Sequence, residues 1–425
     1  MALKRSLFLT SIVQLPTAFR RLAWSNLAAQ SAEQIGLAAT PIIAVLVFGA
    51  GAGETGLLQS AQTLPFLLLS IPAGIVADRT SRRRLMIYAE SLRVVALIGV
   101  LALVYLSWLT LPLLALIGFI GASGTVAYSV AAPTLVPALV PPEALTAANG
   151  RLELARSAAF AAGPVIAGVL IGWVGAAPAF ACAALVSTGA VSLLASLDEP
   201  DRPPRPPRHP IHDLREGAAF AFTHRMLRPV LLTAVCFNIS YFMLQTMYVP
   251  YAVRRLGLSA SGVGATLAAY GVGMAAAALL TPSIMRRLPF GLLVTIGPIS
   301  GLAAAVMMAL TIWLPSSRLA GFSYFLFGAG PVLWTVGSTT LRQLVTPEAL
   351  LGRVSAINTT ATYGSRPLGA ALGALVGAAY GAEACLLVAT LGFMAQAAVI
   401  LTSPVPRLAR QPETVTRLGC VAKNE

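Results

Sequence analysis

Apolar stretches about as long as a membrane-crossing helix recur along the whole chain, and they limit what it can fold into. A bilayer core of about 30 Å is crossed by about 20 apolar residues in a helix. The runs lack the alternation of outer-membrane β-strands, which repeats over about ten residues. The sequence therefore predicts an all-α polytopic membrane protein. We predict twelve spans, near residues 22–48, 56–77, 85–107, 111–135, 149–173, 177–197, 229–250, 261–283, 291–314, 319–341, 354–380 and 383–403.

The arginines and lysines are distributed unevenly between the two sides of the predicted spans. The formal net charge is +14, which in a soluble protein would suggest a nucleic-acid partner. When the N-terminus is placed inside, nearly all arginines and lysines at the span ends fall on one side. The opposite side holds only Arg254, Arg255 and Arg318. This is the positive-inside pattern, so we predict cytoplasmic termini and no nucleic-acid partner.

A polar, proline-rich break divides the spans into six and six. The prolines of residues 198–210 favour an extended spacer, and residues 213–222 could form a short helix on the membrane surface. We predict an N-terminal bundle (1–198), a cytoplasmic linker (199–227), a C-terminal bundle (228–403) and a cytoplasmic tail (404–425).

The two halves share a short repeat. Residues 139–145 read LVPPEAL and residues 344–350 read LVTPEAL, six identities in seven at an offset of 205. This recurrence at equivalent places in the hydropathy pattern indicates that the halves are duplicates.

The turn between the second and third spans carries a compact charged motif. Its sequence, residues 74–86, reads GIVADRTSRRRLM. It resembles the signature loop of the major facilitator superfamily, with a serine, Ser81, in place of the second glycine. The matching positions are Gly74, Asp78, Arg79, Arg82 and Arg83. The resemblance implies two pseudo-symmetric six-helix bundles with a substrate site near the midplane between them.

The same resemblance gives roles to the loop. It implies that Asp78, with Arg82 as partner, helps to latch the cytoplasmic side against the facing half. Glu90 and Arg93, three residues apart in the third span, would share a helix face and serve local packing or the same latch. More narrowly, residues 19–22 (FRRL), the signature loop and residues 139–145 resemble a bacterial branch that includes siderophore exporters, similar to the enterobactin exporter, and macrolide efflux proteins.

A helix-bend motif lies in the fifth span. Gly163, Pro164 and Gly168 resemble the Gly-Pro-x-x-Gly-Gly motif of antiporter-type facilitators, with Ala167 replacing one glycine. Proline removes a backbone hydrogen bond and small residues permit close helix approach, so a bend between the halves is expected. The arginine typical of the fourth helix in many proton antiporters is missing, since residues 111–135 carry no charge.

Two ionisable residues fall near mid-membrane, where a charge costs several kcal/mol. Glu33, flanked by Gln30 and Gln34, could bind substrate or gain and lose the proton that drives transport; it could equally be a fixed, paired carboxyl. Arg366 could bind an anionic substrate, pair with Glu33 or satisfy backbone carbonyls freed by Pro367.

The remaining candidate site residues are polar or aromatic side chains of the seventh, tenth and eleventh spans. Such a wall suits a bulky amphipathic substrate better than a sugar or a small ion. They are Asn238, Tyr241, Gln245, Trp334, Asn358 and Tyr363.

Several function classes are excluded. Lys4 and Lys423 are the only lysines, so a phosphate-binding P-loop is impossible. The four cysteines are scattered without metal spacing, and we predict no enzyme activity, metal or cofactor.

We predict a monomeric proton-coupled exporter of a drug, antibiotic or siderophore, embedded in the lipid bilayer of the bacterial cytoplasmic membrane. The alternatives are a metabolite uptake transporter, and a non-transporting sensor or assembly factor.

Overall fold

The computed structural model describes residues 16–141, 144–199 and 210–409. Long α-helices make up nearly all of this part, which confirms the all-α prediction. The helices are α1 (Thr17–Leu46), α2 (Ala52–Arg79), α3 (Arg82–Tyr105), α4 (Leu111–Leu139), α5 (Leu145–Trp173), α6 (Ala176–Ala195), α7 (Pro210–Thr223), α8 (Leu227–Arg254), α9 (Ala260–Arg287), α10 (Phe290–Leu310), α11 (Ser317–Val345) and α12 (Glu348–Leu401).

The helices of the described chain are consistent with twelve spans. Nine of them are long and apolar enough to cross a membrane; α1 and α2 are not among the nine, and α1 carries Gln30, Glu33 and Gln34 in its middle. Helix α12 runs for 54 residues but is interrupted at Gly381, where φ is +85°. Because residues with a side chain rarely adopt this conformation, glycine fits the break. The break lies between the last two predicted spans.

The linker helix α7 belongs with the C-terminal half. It packs against α8 and α12, where the Gly217 Cα faces the Arg353 backbone and Glu216 forms an ion pair with the Arg353 guanidinium. We predicted a short helix over residues 213–222, and α7 covers that range. The extended spacer at 200–209, the repeat residues Pro142 and Glu143, and the tail from residue 410 lie outside the described residues.

Two seams of small residues join α1–α6 to α8–α12. In the first, α5 meets α9: a Cβ on Gly168 would lie 2.5 Å from the Ala260 carbonyl oxygen, and one on Gly271 would lie 2.1 Å from the Ala161 nitrogen. In the second, α2 meets α12, where a Cβ on Gly56 would lie 2.4 Å from the Ala374 Cβ. Small residues let helix backbones approach closely where lipid provides no hydrophobic drive for association.

The helix-bend motif lies at the first seam. Gly163 packs on the other side of α5, against the backbone of α1 at Gln34 and Ile35. The Pro164 carbonyl oxygen lies against Gly264 of α9. Helix α5 is thus held between α1 of its own half and α9 of the other.

Arg254 joins the halves at the end of the bundle where α1 ends. The Arg254 Nη2 donates to the backbone oxygens of Gly49 and Ala50, at 2.9 Å each. Its neighbour Arg255 stays within its own half, donating to the Ile312 oxygen at 3.1 Å and pairing with Glu383 at 3.2 Å.

Candidate functional site

Two adjoining cavities occupy the interior of the bundle. The larger has a volume of about 310 Å³ and is lined by α5 and α8–α12. The smaller, of about 140 Å³, is lined mainly by α1–α4. Arg366 of α12 lines both cavities, so the two cavities meet at this residue.

A buried charge cluster borders the smaller cavity. The Arg93 guanidinium lies between two carboxylates, 2.7 Å from Glu90 Oε2 and 3.5 Å from Glu33 Oε2. It also donates to Thr125 Oγ1 at 2.7 Å and to the Ala29 oxygen at 3.1 Å. Glu90 and Arg93 share one face of α3 because they are three residues apart, while Glu33 comes from the middle of α1.

The two carboxylates of this cluster differ in their access to the cavity. The Glu90 side chain is fully buried and accepts a further hydrogen bond from the Ser187 hydroxyl. Glu33 is 20% exposed and lines the smaller cavity. One arginine cannot neutralise two carboxylates, so the ionised cluster carries one negative charge in excess. Of the two carboxylates, only that of Glu33 lines the cavity.

Arg366 is held by an amide and three aromatic rings. Its Nε lies 3.3 Å from Asn238 Oδ1. Its guanidinium carbon lies 4.1 Å from the ring centroid of Tyr363, 5.1 Å from that of Phe242 and 5.3 Å from that of Phe66. Cation–π contacts of this kind stabilise an arginine without neutralising it. The Glu33 ion pair is formed with Arg93, and Arg366 faces Glu33 across the smaller cavity without a contact within 4.0 Å among the described residues.

The predicted wall residues divide into two groups. Four line the larger cavity with Arg366: Asn238, Trp334, Asn358 and Tyr363. Tyr241 lies in an aromatic cluster, 5.4 Å from the Phe327 ring centroid, and Gln245 accepts from the Tyr324 hydroxyl at 2.9 Å. On α1, Gln34 packs against Gly163 and Gln30 is half-buried.

The charged loop contacts its own half. The backbone nitrogens of Arg82 and Arg83 donate to the Glu199 carboxylate at 3.0 and 3.1 Å, where the dipole of α3 favours an anion. The Arg83 Nε donates to the Leu194 oxygen at 3.0 Å. Gly74 lies within α2, while the side chains of Asp78 and Arg79 lie outside the described residues. The latch stays a prediction.

Sequence reasoning did not identify three cavity arginines. Arg93 was assigned to local packing or the latch, although it lies 11 residues beyond Arg82, or about 17 Å along a helix; counting that rise would have placed it at depth. Arg156 and Arg342 were not among the predicted site residues, yet both line the larger cavity. In the described part of the chain, no group of three His, Cys, Asp or Glu side chains is placed to hold a metal ion.

Comparison with known proteins gives a consistent family. The major facilitator family described as "transmembrane secretion effector" matches residues 18–417. The multidrug efflux pump Tap of Mycobacterium tuberculosis (strain ATCC 25618 / H37Rv) is 24% identical over 405 residues, covering 91% of this chain and 93% of Tap. The uncharacterized MFS-type transporter y4rN of Sinorhizobium fredii is 25% identical over 340 residues, 76% of this chain and 79% of y4rN.

The fold has solved counterparts. The crystal structure of a bacterial homologue of the iron transporter ferroportin, in its inward-facing state, superposes with a TM-score of 0.68 at 18% identity. The match covers 89% of this chain and 98% of that one. This likeness concerns the fold and confirms the major facilitator architecture.

Proposed function

We propose that this chain, which belongs to the transmembrane secretion effector family of the major facilitator superfamily, exports a small amphipathic molecule in exchange for protons. It is a multi-pass membrane transporter and not an enzyme. The export direction is supported by the relative named a multidrug efflux pump. The aromatic and weakly polar lining of the larger cavity supports an amphipathic substrate. The transporter works as a monomer in the lipid bilayer of the bacterial cytoplasmic membrane.

Orientation follows from the distribution of basic residues. With both termini in the cytoplasm, α1 begins at the cytoplasmic side and α11 ends there. The larger cavity follows α11 from Gly328 to Arg342, and Arg342 is three residues from the end of that helix. The cavity therefore reaches towards the cytoplasm, while Arg254 joins the halves at the outer end. This is an inward-facing arrangement.

Replacing Arg254 with alanine is expected to favour the outward-open state. The variant loses two charge-assisted hydrogen bonds across the halves, and at an exposed site we expect a shift of roughly 1–2 kcal/mol. Spin labels at Val47 and Arg318, in a variant without native cysteines, would report the outer separation as a larger population of long distances. Arg255→Ala is the matched control, because Arg255 contacts only its own half among the described residues. Equal distance distributions in the two variants would contradict the closure role.

Proton coupling rests on the Glu33–Arg93–Glu90 cluster. With both carboxylates ionised, the cluster has one negative charge in excess beside a cavity. A proton on Glu33 neutralises the cluster and leaves the shorter Glu90–Arg93 pair intact. Glu33 faces Arg366 across a small, partly apolar cavity, where charges interact more strongly than in water. Glu33 and Arg366 line the same cavity, so substrate at Arg366 and the proton on Glu33 each affect the binding of the other.

Removing the Glu33 carboxylate tests this coupling. Wild type, Glu33→Gln and the exposed control Glu383→Gln would be reconstituted in liposomes that contain a pH-sensitive dye. Dansylglycine, dansylamide and dansylethylenediamine would be added outside as anionic, neutral and cationic amphiphiles. We expect probe-dependent proton flux in wild type and Glu383→Gln, and flux at the level of empty liposomes in Glu33→Gln. Unchanged flux in Glu33→Gln, or probe movement without proton movement in wild type, would overturn the proposal.

A further inference from the structure

The charged residues among the described residues that line the larger cavity are all arginines. Arg156, Arg342 and Arg366 contribute to its wall, and none of the described residues that line it is an aspartate or a glutamate. A cationic amphiphile would meet this wall without a compensating carboxylate. An anionic one would find several partners.

Two of the three arginines lack an acidic partner. Arg156 is paired with Glu153 at 2.6 Å. Within residues 16–141, 144–199 and 210–409, no carboxylate oxygen of a described side chain lies within 4.0 Å of the Arg342 or Arg366 guanidinium. Arg366, which the sequence places near mid-membrane, has an amide and three aromatic rings as partners among the described residues but no counter-charge. An arginine without a counter-charge at that depth is costly, which favours a ligand that brings a negative charge.

Unsatisfied polar atoms collect in the same wall. A buried donor or acceptor without a partner is destabilising, and each one in a folded protein calls for an explanation. Four of them belong to residues that line this cavity and have no hydrogen-bond partner within the described part of the protein. They are Arg342 Nε, Thr233 Oγ1, Thr362 Oγ1 and Gln396 Oε1. The arginine N–H and the two hydroxyl groups are donors, and they could bind an anionic oxygen once these side chains turn towards the cavity.

The two arginines lie at different depths. Arg342 is near the cytoplasmic end of α11 in the proposed orientation, whereas Arg366 lies 18 residues into α12, or about 27 Å along the helix. Trp334 and Tyr363 line the cavity as well and supply apolar surface. The volume of about 310 Å³ is at the lower end of the roughly 300–1,000 Å³ of drug-sized sites.

We propose that the exported molecule is an amphipathic anion, whose carboxylate or other acidic group is bound first by Arg342 at the mouth and then by Arg366 at the base of the larger cavity. This assignment of the substrate class rests on the proposed function for the direction of movement. The binding step itself requires neither transport nor a proton gradient.

Energy transfer from Trp334 gives a local measure of binding. Trp334 lines the larger cavity, whereas the other four tryptophans, Trp24, Trp108, Trp173 and Trp313, are exposed on the surface. Dansylglycine, dansylamide and dansylethylenediamine share one fluorophore and differ in charge. Each would be titrated into the purified full-length protein, and the signal that is lost in Trp334→Phe is the signal from the cavity.

We expect dansylglycine to bind about 10- to 100-fold more tightly than dansylamide, the range for a hydrogen-bonded charge pair of about 1.5–3 kcal/mol, and dansylethylenediamine to bind most weakly. Arg342→Gln and Arg366→Gln should each reduce the preference for dansylglycine by about 10-fold or more. Arg366→Lys should retain part of it, which separates lost charge from misfolding. Arg255→Gln, outside the cavity, should leave it unchanged.

Two results would overturn the assignment: equal affinity for the three probes in wild type, or a preference for dansylglycine that persists in both glutamine variants. These results are distinguishable from failure of the proposed function. Equal probe affinities with flux lost in Glu33→Gln would reject the anionic substrate and keep the antiporter. A clear anion preference with unchanged flux in Glu33→Gln would keep the anion site and reject the coupling.

Discussion

Replacing Arg93 with leucine is expected to lower the free energy of unfolding by about 3–5 kcal/mol, the usual cost of removing one partner of a buried ion pair. The variant leaves the Glu90 carboxylate fully buried with only the Ser187 hydroxyl as its partner among the described side chains. The hydrogen bonds to Thr125 and to the Ala29 carbonyl are lost as well. Equilibrium unfolding by SDS in mixed micelles would measure the change.

The chain offers a matched control for burial. Arg156 and Glu153 form a second pair at the same helical spacing, at 2.6 Å against 2.7 Å, but with side chains that are 43% and 38% exposed. Arg156→Leu should cost only about 0–1 kcal/mol. Adding Glu90→Gln to Arg93→Leu should restore part of the lost stability, because the buried charge is then removed. Equal losses in the two single variants would show that burial of the pair does not set its contribution.

Replacing Gly271 with alanine is expected to open the seam between α5 and α9. The added Cβ would lie 2.1 Å from the Ala161 nitrogen and 2.5 Å from the Phe160 carbonyl carbon. Backbone atoms cannot rotate away as a side chain does, so the helices must separate. Overpacking of this kind costs about 1–3 kcal/mol, and a displaced α5 disturbs both halves of the site. We expect a lower thermal unfolding midpoint and at least several-fold slower transport.

Gly189→Ala is the control for this substitution. Gly189 lies within helix α6, and a Cβ at that position would meet nothing within 4 Å. Alanine favours a helix over glycine by about 0.5–1 kcal/mol, so this variant should keep or raise the unfolding midpoint. A Gly271→Ala variant as stable and as active as Gly189→Ala would show that α5 and α9 do not need their close approach.

Local features of the fold could be predicted from the sequence because they depend on residues near one another in the chain. Runs of apolar residues predicted the spans. The break inside α12 at Gly381 lies between the last two predicted spans, and the polar segment 213–222 lies inside α7. The helix ends extend beyond the predicted spans, as in α4, which continues to Leu139, because a helix does not stop at the edge of the hydrocarbon.

Pairing between helices could not be predicted in the same way. Glu33 and Arg366 both fell near mid-depth in the sequence, but depth leaves open which helix faces which. Helices α1 and α3 both pack against α6, and this brings Arg93 to Glu33 instead. Whether Arg342 has a partner likewise depends on which residues of neighbouring helices come near it. None of the described residues pairs with its guanidinium, and the order of residues along one helix does not contain that information.

In the proposed exchange, the cluster of one arginine and two glutamates takes up one proton, at Glu33, and this sets how the membrane voltage acts on transport. One proton entering and one monovalent anion leaving move charge in the same electrical direction, so two elementary charges cross per cycle. Each charge gains about 2.3 kcal/mol per 100 mV. Two give about 4.6 kcal/mol, enough to sustain a concentration ratio of roughly three powers of ten. Export of an anion would therefore continue when the pH gradient has collapsed, whereas a neutral substrate would receive half of this electrical drive.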